Sequence, residues 1–296
     1  MAKRGPKSLG VSRSGLALGS VAAIIVAGAA VWAASLPAAA ADSAGVPDFS
    51  LANTAGWVTV GADWLPPPSG AGPVGFDPKY PHIGNNDPQG RGATPRIADV
   101  SSPILQPWAA AQVKKANDAV LAGKTGFQAM STCWPGGVPG VMLFTAEPVY
   151  FVQTPKEVLI LYQRGPNQRH IHMNVPHSKA VKPDWYGESV GHYEGNTLVV
   201  DTIGLSDKTF VDSLRTPHTT QLHVIERYTL SADKKTIEAS ASVEDPGAFT
   251  MPWSATQRYR RVDRPYQESI CAENNNNYNY FNLDVDPIPE AAKPDF

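Results

Sequence analysis

Cysteine is scarce in this chain: Cys133 and Cys271 are the two among 296 residues, and neither sits in a CxxC pair or a Cys-His spacing. Thiolate zinc ribbons and dithiol redox motifs are thereby excluded. In an oxidising compartment two lone cysteines join in one disulfide, and closing so long a loop is worth roughly 4–5 kcal/mol on chain-entropy arithmetic. A metal-bound or catalytic cysteine is the alternative. Basic residues are also few, 25 Lys and Arg against 27 Asp and Glu, with no basic stripe interleaved with aromatics, which excludes nucleic acid as a partner. The chain lacks a glycine-rich phosphate loop, a dinucleotide fingerprint and a zinc-protease helix. Gly187-Glu188-Ser189-Val190-Gly191 matches the nucleophile elbow on paper, yet it leads into a β-hairpin pattern where the elbow needs a strand-to-helix turn.

Long apolar runs are missing too, with one exception. Leu16 to Trp32 follows a basic start of Lys3, Arg4, Lys7 and Arg13 and precedes Ala39-Ala40-Ala41, the layout of a secretory signal over residues 1–41. Its length also suits an uncleaved anchor. Ser12-Arg13-Ser14 offers one arginine where a twin-arginine signal needs two. The expected location is periplasmic or secreted, with no membrane contact once the signal is gone. Loss of four basic residues from 25 leaves 21 against 27 acids, a net charge near −6.

Residues 42–104 are rich in Pro, Gly, Asn and Ala, with PPPSGAGP at 66–73 and HIGNNDPQGRG at 82–92, and show no periodicity. Such a segment builds no core of its own, so it is expected to wrap another domain with Trp57, Trp64, Phe76 and Tyr80 as anchors. A helical segment fills 105–132: one helix after Pro107, with a stripe of Trp108, Val113, Ala116 and Val120, ending at Gly123.

From Cys133 the period switches to two. VYFVQ (149–153), EVLILYQ (157–163), RHIHMN (169–174), the two arms of VGHYEGNTLVVDT (190–202), LHVIERYTL (222–230), TIEASASVE (236–244) and WSATQRYRR (253–261) read as about eight antiparallel strands. The fold class is mainly β: an antiparallel β-barrel of lipocalin or calycin type over 133–275, with a tail at 276–296. Ile237, Ala239, Ala241 and Val243 form its inward face in one strand, lining either a tight core or a cavity.

The hairpin at 190–202 has the sharpest pattern. Gly195-Asn196 is a two-residue turn, and pairing outward from it sets Glu194 opposite Thr197, His192 opposite Val199 and Val190 opposite Asp201. Period two then places Val190, His192, Glu194, Thr197, Val199 and Asp201 on one face, against Tyr193, Leu198 and Val200 on the other. His192 and Asp201 are diagonal neighbours, roughly 7–8 Å apart. The polar face looks either to solvent or into a polar-lined cavity.

The run from Trp185 to Thr202 resembles the signature W-x-G-x-S-x-G-x-W-E-G-D-T-L-V-V-D-T of a family of exported, largely uncharacterised bacterial proteins. The resemblance spans roughly Cys133 to Asn275, with Arg169-His170-Ile171, His177, His218-Thr219, Glu226-Arg227, Glu244-Asp245-Pro246 and Pro252-Trp253 falling on its R-x-I, H, H-S, E-R, E-D-P and P-W positions. Tyr193 stands for Trp, Asn196 for Asp and Thr219 for Ser. The family implies kinship and no mechanism.

Five of the seven histidines fall between 170 and 218. His170 and His172 share a strand face and, with His177 or His192, would make a three-histidine site for a divalent metal. The metal-free reading takes His177 or His218 as general acid or base, Asp201 or Glu226 as orienting carboxylate and Arg169 as anion holder, with Glu194 and His192 on the hairpin beside them. On it the protein is an exported cofactor-free lyase, isomerase or hydrolase that uses a barrel cavity on a bulky hydroxylated or aromatic small molecule. The alternative is a lipocalin-like binding protein for an apolar or aromatic ligand.

Overall fold

A period-two chain leaves unpaired backbone groups at each sheet edge until the last strand meets the first, and here the sheet closes. A computed structural model describes residues 45–50, 56–84, 87–126, 133–143, 147–163, 167–267 and 269–271. The chain divides into two units, residues 1–39 and 40–296; every described residue belongs to the second. The expected signal segment, the C-terminal tail and residues 127–132 of the expected helical segment lie outside the described residues.

Among the described residues the barrel has nine strands: β1 (Gly56–Thr59), β2 (Val149–Gln153), β3 (Glu157–Tyr162), β4 (Asn167–Met173), β5 (Glu188–Glu194), β6 (Thr197–Ile203), β7 (His223–Leu230), β8 (Thr236–Glu244) and β9 (Trp253–Val262). They pair in sequence order, and β1 closes the ring against β9 over four residues and against β2 at Trp57↔Val149. The expected β-barrel is present, with two differences. One is β1, which falls inside the segment read as an irregular wrap: its four residues, Gly-Trp-Val-Thr, are all buried and carry no polar alternation to betray a strand.

The other difference follows from counting. A closed ring of strands must return to its starting direction, so its antiparallel junctions are even in number, and nine junctions force at least one to be parallel. That junction is β4–β5, with Ile171↔Ser189, His172↔Val190 and Met173↔Gly191. A parallel pair needs a long crossover, supplied by residues 174–187. This crossover carries His177.

The helix α1 (Pro107–Leu121) begins at its proline as expected. Its buried stripe is Ala109, Val113, Asn117 and Val120, whereas Trp108 is 40% exposed and Ala116 half-buried. Asn117 takes a core position because its amide pairs with a backbone: Oδ1 accepts from Ala98 N at 3.1 Å and Nδ2 donates to Ala98 O at 2.9 Å. Of the expected anchors, Trp57 and Trp64 are buried and donate to Phe49 O (2.8 Å) and Val211 O (2.9 Å). Phe76 is half-buried and Tyr80 is exposed. Among the described residues no helix is long and apolar enough to cross a membrane. Cys133 and Cys271 form the expected pair, their Cα atoms 5.5 Å apart.

Large side chains line the barrel interior. Trp57, Phe151, Tyr162, Tyr228 and Tyr259 are buried, with Phe151 and Tyr228 in edge contact at 5.8 Å. Ala239, Ala241 and Ala255 are buried in the same hydrophobic core as these rings, so the small residues on the inward face of β8 belong to that core.

Candidate functional site

The hairpin register is as expected, residue for residue. Its polar face, however, turns outward. His192 and Glu194 are exposed and Asp201 is part-exposed, while Ser189, Gly191, Leu198, Val200 and Thr202 are buried. Burying Leu198 and Val200 gains roughly 2 kcal/mol apiece, which fixes the orientation. The expectation of an enclosed hollow lined by this face is therefore corrected.

The seven residues expected in one acid–base centre separate into four places. Arg169 and Glu226 meet inside the barrel, both with fully buried side chains. Arg169 donates from Nη1 to Glu226 Oε1 at 2.9 Å, from Nη2 to Glu226 Oε2 and to Thr202 Oγ1 at 2.7 Å, and from Nε to Ser189 Oγ at 3.1 Å. Tyr228 donates its hydroxyl to Glu226 Oε1 at 2.8 Å. Burial pulls the guanidinium pKa down, and Glu226 beside it more than reverses this, so Arg169 stays charged. Burial also pushes the Tyr228 phenol well up. Neither Arg169 nor Glu226 approaches a histidine, so their expected roles as anion holder and orienting carboxylate are replaced by a contact with each other.

His218 lies apart from the others. It is 2% exposed, its Nδ1 lies 2.9 Å from Thr219 O and its Nε2 2.8 Å from Thr209 Oγ1. A carbonyl only accepts, so Nδ1 carries the proton and Nε2 accepts from the threonine hydroxyl. Burial holds its pKa below the ordinary value. Both nitrogens are thus committed within the fold.

His192 Nε2 lies 2.9 Å from Glu194 Oε1 on the outer face, and Arg227 holds the other carboxylate oxygen at 2.6 Å. Arg227 first and His192 second draw the Glu194 pKa down. His170 Nδ1 lies 2.6 Å from Glu157 Oε1, and His172 is exposed on the same side of β4. Among the described residues no group of three or more His, Cys, Asp or Glu is arranged to hold a metal ion.

The fourth place brings His177 and Asp201 together, as expected, with two residues that sequence reasoning missed. His177 Nδ1 lies 3.0 Å from Glu188 Oε1 and Nε2 3.1 Å from Asp201 Oδ1; His223 Nε2 lies 2.8 Å from the same Asp201 oxygen. The crossover lays His177 over the outer faces of β5 and β6, and Ser178 N pins the crossover by donating to Glu188 Oε1 at 2.7 Å. Ser178, chiefly through its side chain, holds the Glu188 carboxyl below the usual range. The side chains are 20% (His177), 22% (Glu188), 36% (His223) and 39% (Asp201) exposed, so the cluster opens to solvent. Asp201 does reach a diagonal neighbour, but the neighbour is across β6–β7: Ile225 faces Asp201 and His223 is two residues away. His223 shares outward parity with Ile225 and Arg227, a signal that needed the β7 register as well as the hairpin's.

No protein-family model, curated protein or solved structure matches this chain.

Proposed function

We propose that the protein is an exported enzyme that moves a proton on a bulky hydroxylated or aromatic small molecule, as a non-redox lyase, isomerase or hydrolase, with His177, Asp201, His223 and Glu188 as its working groups. The observation that carries this reading is the continuous chain Glu188–His177–Asp201–His223 on a solvent-open face. With both carboxylates ionised, its three contacts are all hydrogen bonds only while His177 carries both ring protons and His223 carries one on Nε2. When His177 gives up a proton, one of its nitrogens faces a carboxylate oxygen as lone pair against lone pair. Contact with a substrate oxygen or carbon acid in place of Asp201 relieves that opposition, which is the arrangement a general acid–base residue needs. Glu188 keeps the ring oriented throughout. An open face suits a substrate too bulky for enclosure, and a cystine pair supports an oxidising compartment. A ligand held inside the barrel in lipocalin fashion has the fold on its side, with buried aromatic rings and the Arg169–Glu226 pair taking up part of that space.

A panel of hydroxylated and aromatic metabolites incubated in D2O and followed by proton NMR reads proton abstraction and product formation for every compound at once. Wild type is expected to exchange or convert at least one compound, with His177→Gln about 100-fold or more slower and His192→Gln unchanged. Identical spectra from wild type and His177→Gln for every compound would end the reading.

A further inference from the structure

A groove of about 380 Å³ lies between α1 and the segment 207–219, away from the His177 cluster. That volume falls in the range of small-molecule sites. Two cations from different elements line it, Lys115 on α1 and Arg215 on the loop, with Asp207 as the carboxylate among its lining residues. Its apolar wall is Trp108, Phe210 and Pro217.

The placement of Arg215 is built in. Its backbone sits in the left-handed region at φ 67°, which costs a non-glycine residue on the order of 1 kcal/mol. The residue is 5% exposed, and Nη2 donates to Arg96 O at 2.7 Å. Nη1 packs against Gly126 so closely that a Cβ there would lie 2.5 Å away. Arg215 and Gly126 also line a neighbouring concavity of about 400 Å³, where Lys124 joins Arg215 and no carboxylate lines the wall. Arg215 therefore lines both hollows, held by Arg96 O and with the buried Asp212 carboxyl within reach of its charge.

Trp108 complements it. Its ring is 40% exposed on the first turn of α1, yet the indole N–H donates to Gly247 O, which holds the ring in place without burying it. An exposed, oriented indole beside a guanidinium and an ammonium matches a flat apolar body with an anionic head. We propose that this groove binds a small aromatic carboxylate, its ring against Trp108 and Phe210 and its carboxylate on Lys115 and Arg215.

Isothermal titration of the full chain with 2-naphthoate tests this, with neutral 2-naphthamide as the shape control and Trp108→Ala and Lys115→Glu as variants. Both positions are exposed, and far-UV circular dichroism verifies that the variants are folded. The expected result is saturable naphthoate binding, at least tenfold weaker for the amide and in each variant, and weaker with added salt, as a charge-assisted contact requires. Absence of saturable naphthoate binding overturns the proposal. So does equal affinity for acid and amide, or unchanged affinity in either variant. Turnover at the His177 cluster is read separately and does not enter this test.

Discussion

Arg169 and Glu226 show what a polar residue on the wrong parity means. Arg169 alternates in phase with Ile171 and Met173, and Glu226 with Val224 and Tyr228, all of them inward. That phase was visible in the sequence and marks both as interior; what sequence could not supply was that each is the other's partner, because β4 and β7 are not neighbours in the sheet. Removing one member leaves a buried charge unpaired, so Arg169→Met is expected to cost about 3–5 kcal/mol, whereas Arg169→Met with Glu226→Leu recovers most of it. Urea denaturation of the two variants checks this, and a single substitution costing under about 1 kcal/mol would contradict the buried pair. His218 gives a pH prediction of definite sign. Burial lowers its pKa in the folded state, so between that value and the ordinary 6.5 the unfolded chain binds a proton that the folded chain refuses. Its stabilising contribution is complete above about pH 6.5 and drains as the pH falls toward the folded value. His218→Gln should flatten the loss of stability between pH 7 and 5 relative to wild type; parallel curves would show that His218 titrates alike in both states.

Strands were legible wherever apolar and polar residues alternated, and β8 was read to its residue limits, Thr236–Glu244. The hairpin register was legible as well, because a two-residue turn leaves one pairing. Which face points inward required weighing Leu198 and Val200 against His192 and Glu194, and the apolar residues prevail because exposed acids and imidazoles cost nothing in water. The crossover between β4 and β5 was not legible: nothing local announces a parallel junction, and only the odd strand count demands one. Gly187 makes its last turn. At φ 61° it occupies a region that an L side chain resists, and a Cβ would stand 2.3 Å from Ile203 O. Gly187→Ala should therefore destabilise the fold by about 2 kcal/mol or more and loosen the Ser206 N to Asp184 O bond that ties the crossover to the strand end, now 2.8 Å. Equilibrium unfolding and amide exchange at Ser206 read the two effects; a variant as stable as wild type would mean that the crossover re-forms around the methyl group.

Across the whole molecule the barrel is a scaffold, and the groups proposed for proton transfer lie on its outer face. Aromatic rings and the Arg169–Glu226 pair lie in the interior, whereas the titratable groups at the crossover and the groove beside α1 are carried on outer surfaces. Such a layout depends on the ring of strands staying closed, and closure rests on β1, which has four residues and one register pair with β2. The Cys133–Cys271 pair spans 138 residues and encloses every strand from β2 to β9. Fixing the ends of that loop denies the unfolded chain its open conformations, which chain-entropy arithmetic puts at about 5 kcal/mol. Reduction, or Cys133→Ser with Cys271→Ser, is therefore expected to lower unfolding stability by roughly that amount while leaving the β-sheet circular dichroism of the folded state unchanged at 25 °C. Denaturant titration in the presence and absence of reductant measures it. An unchanged midpoint would place the stabilisation of closure in the β1–β9 ladder alone; a collapse of the sheet signal on reduction, before any denaturant, would show that four residues of β1 do not keep the ring shut without the staple.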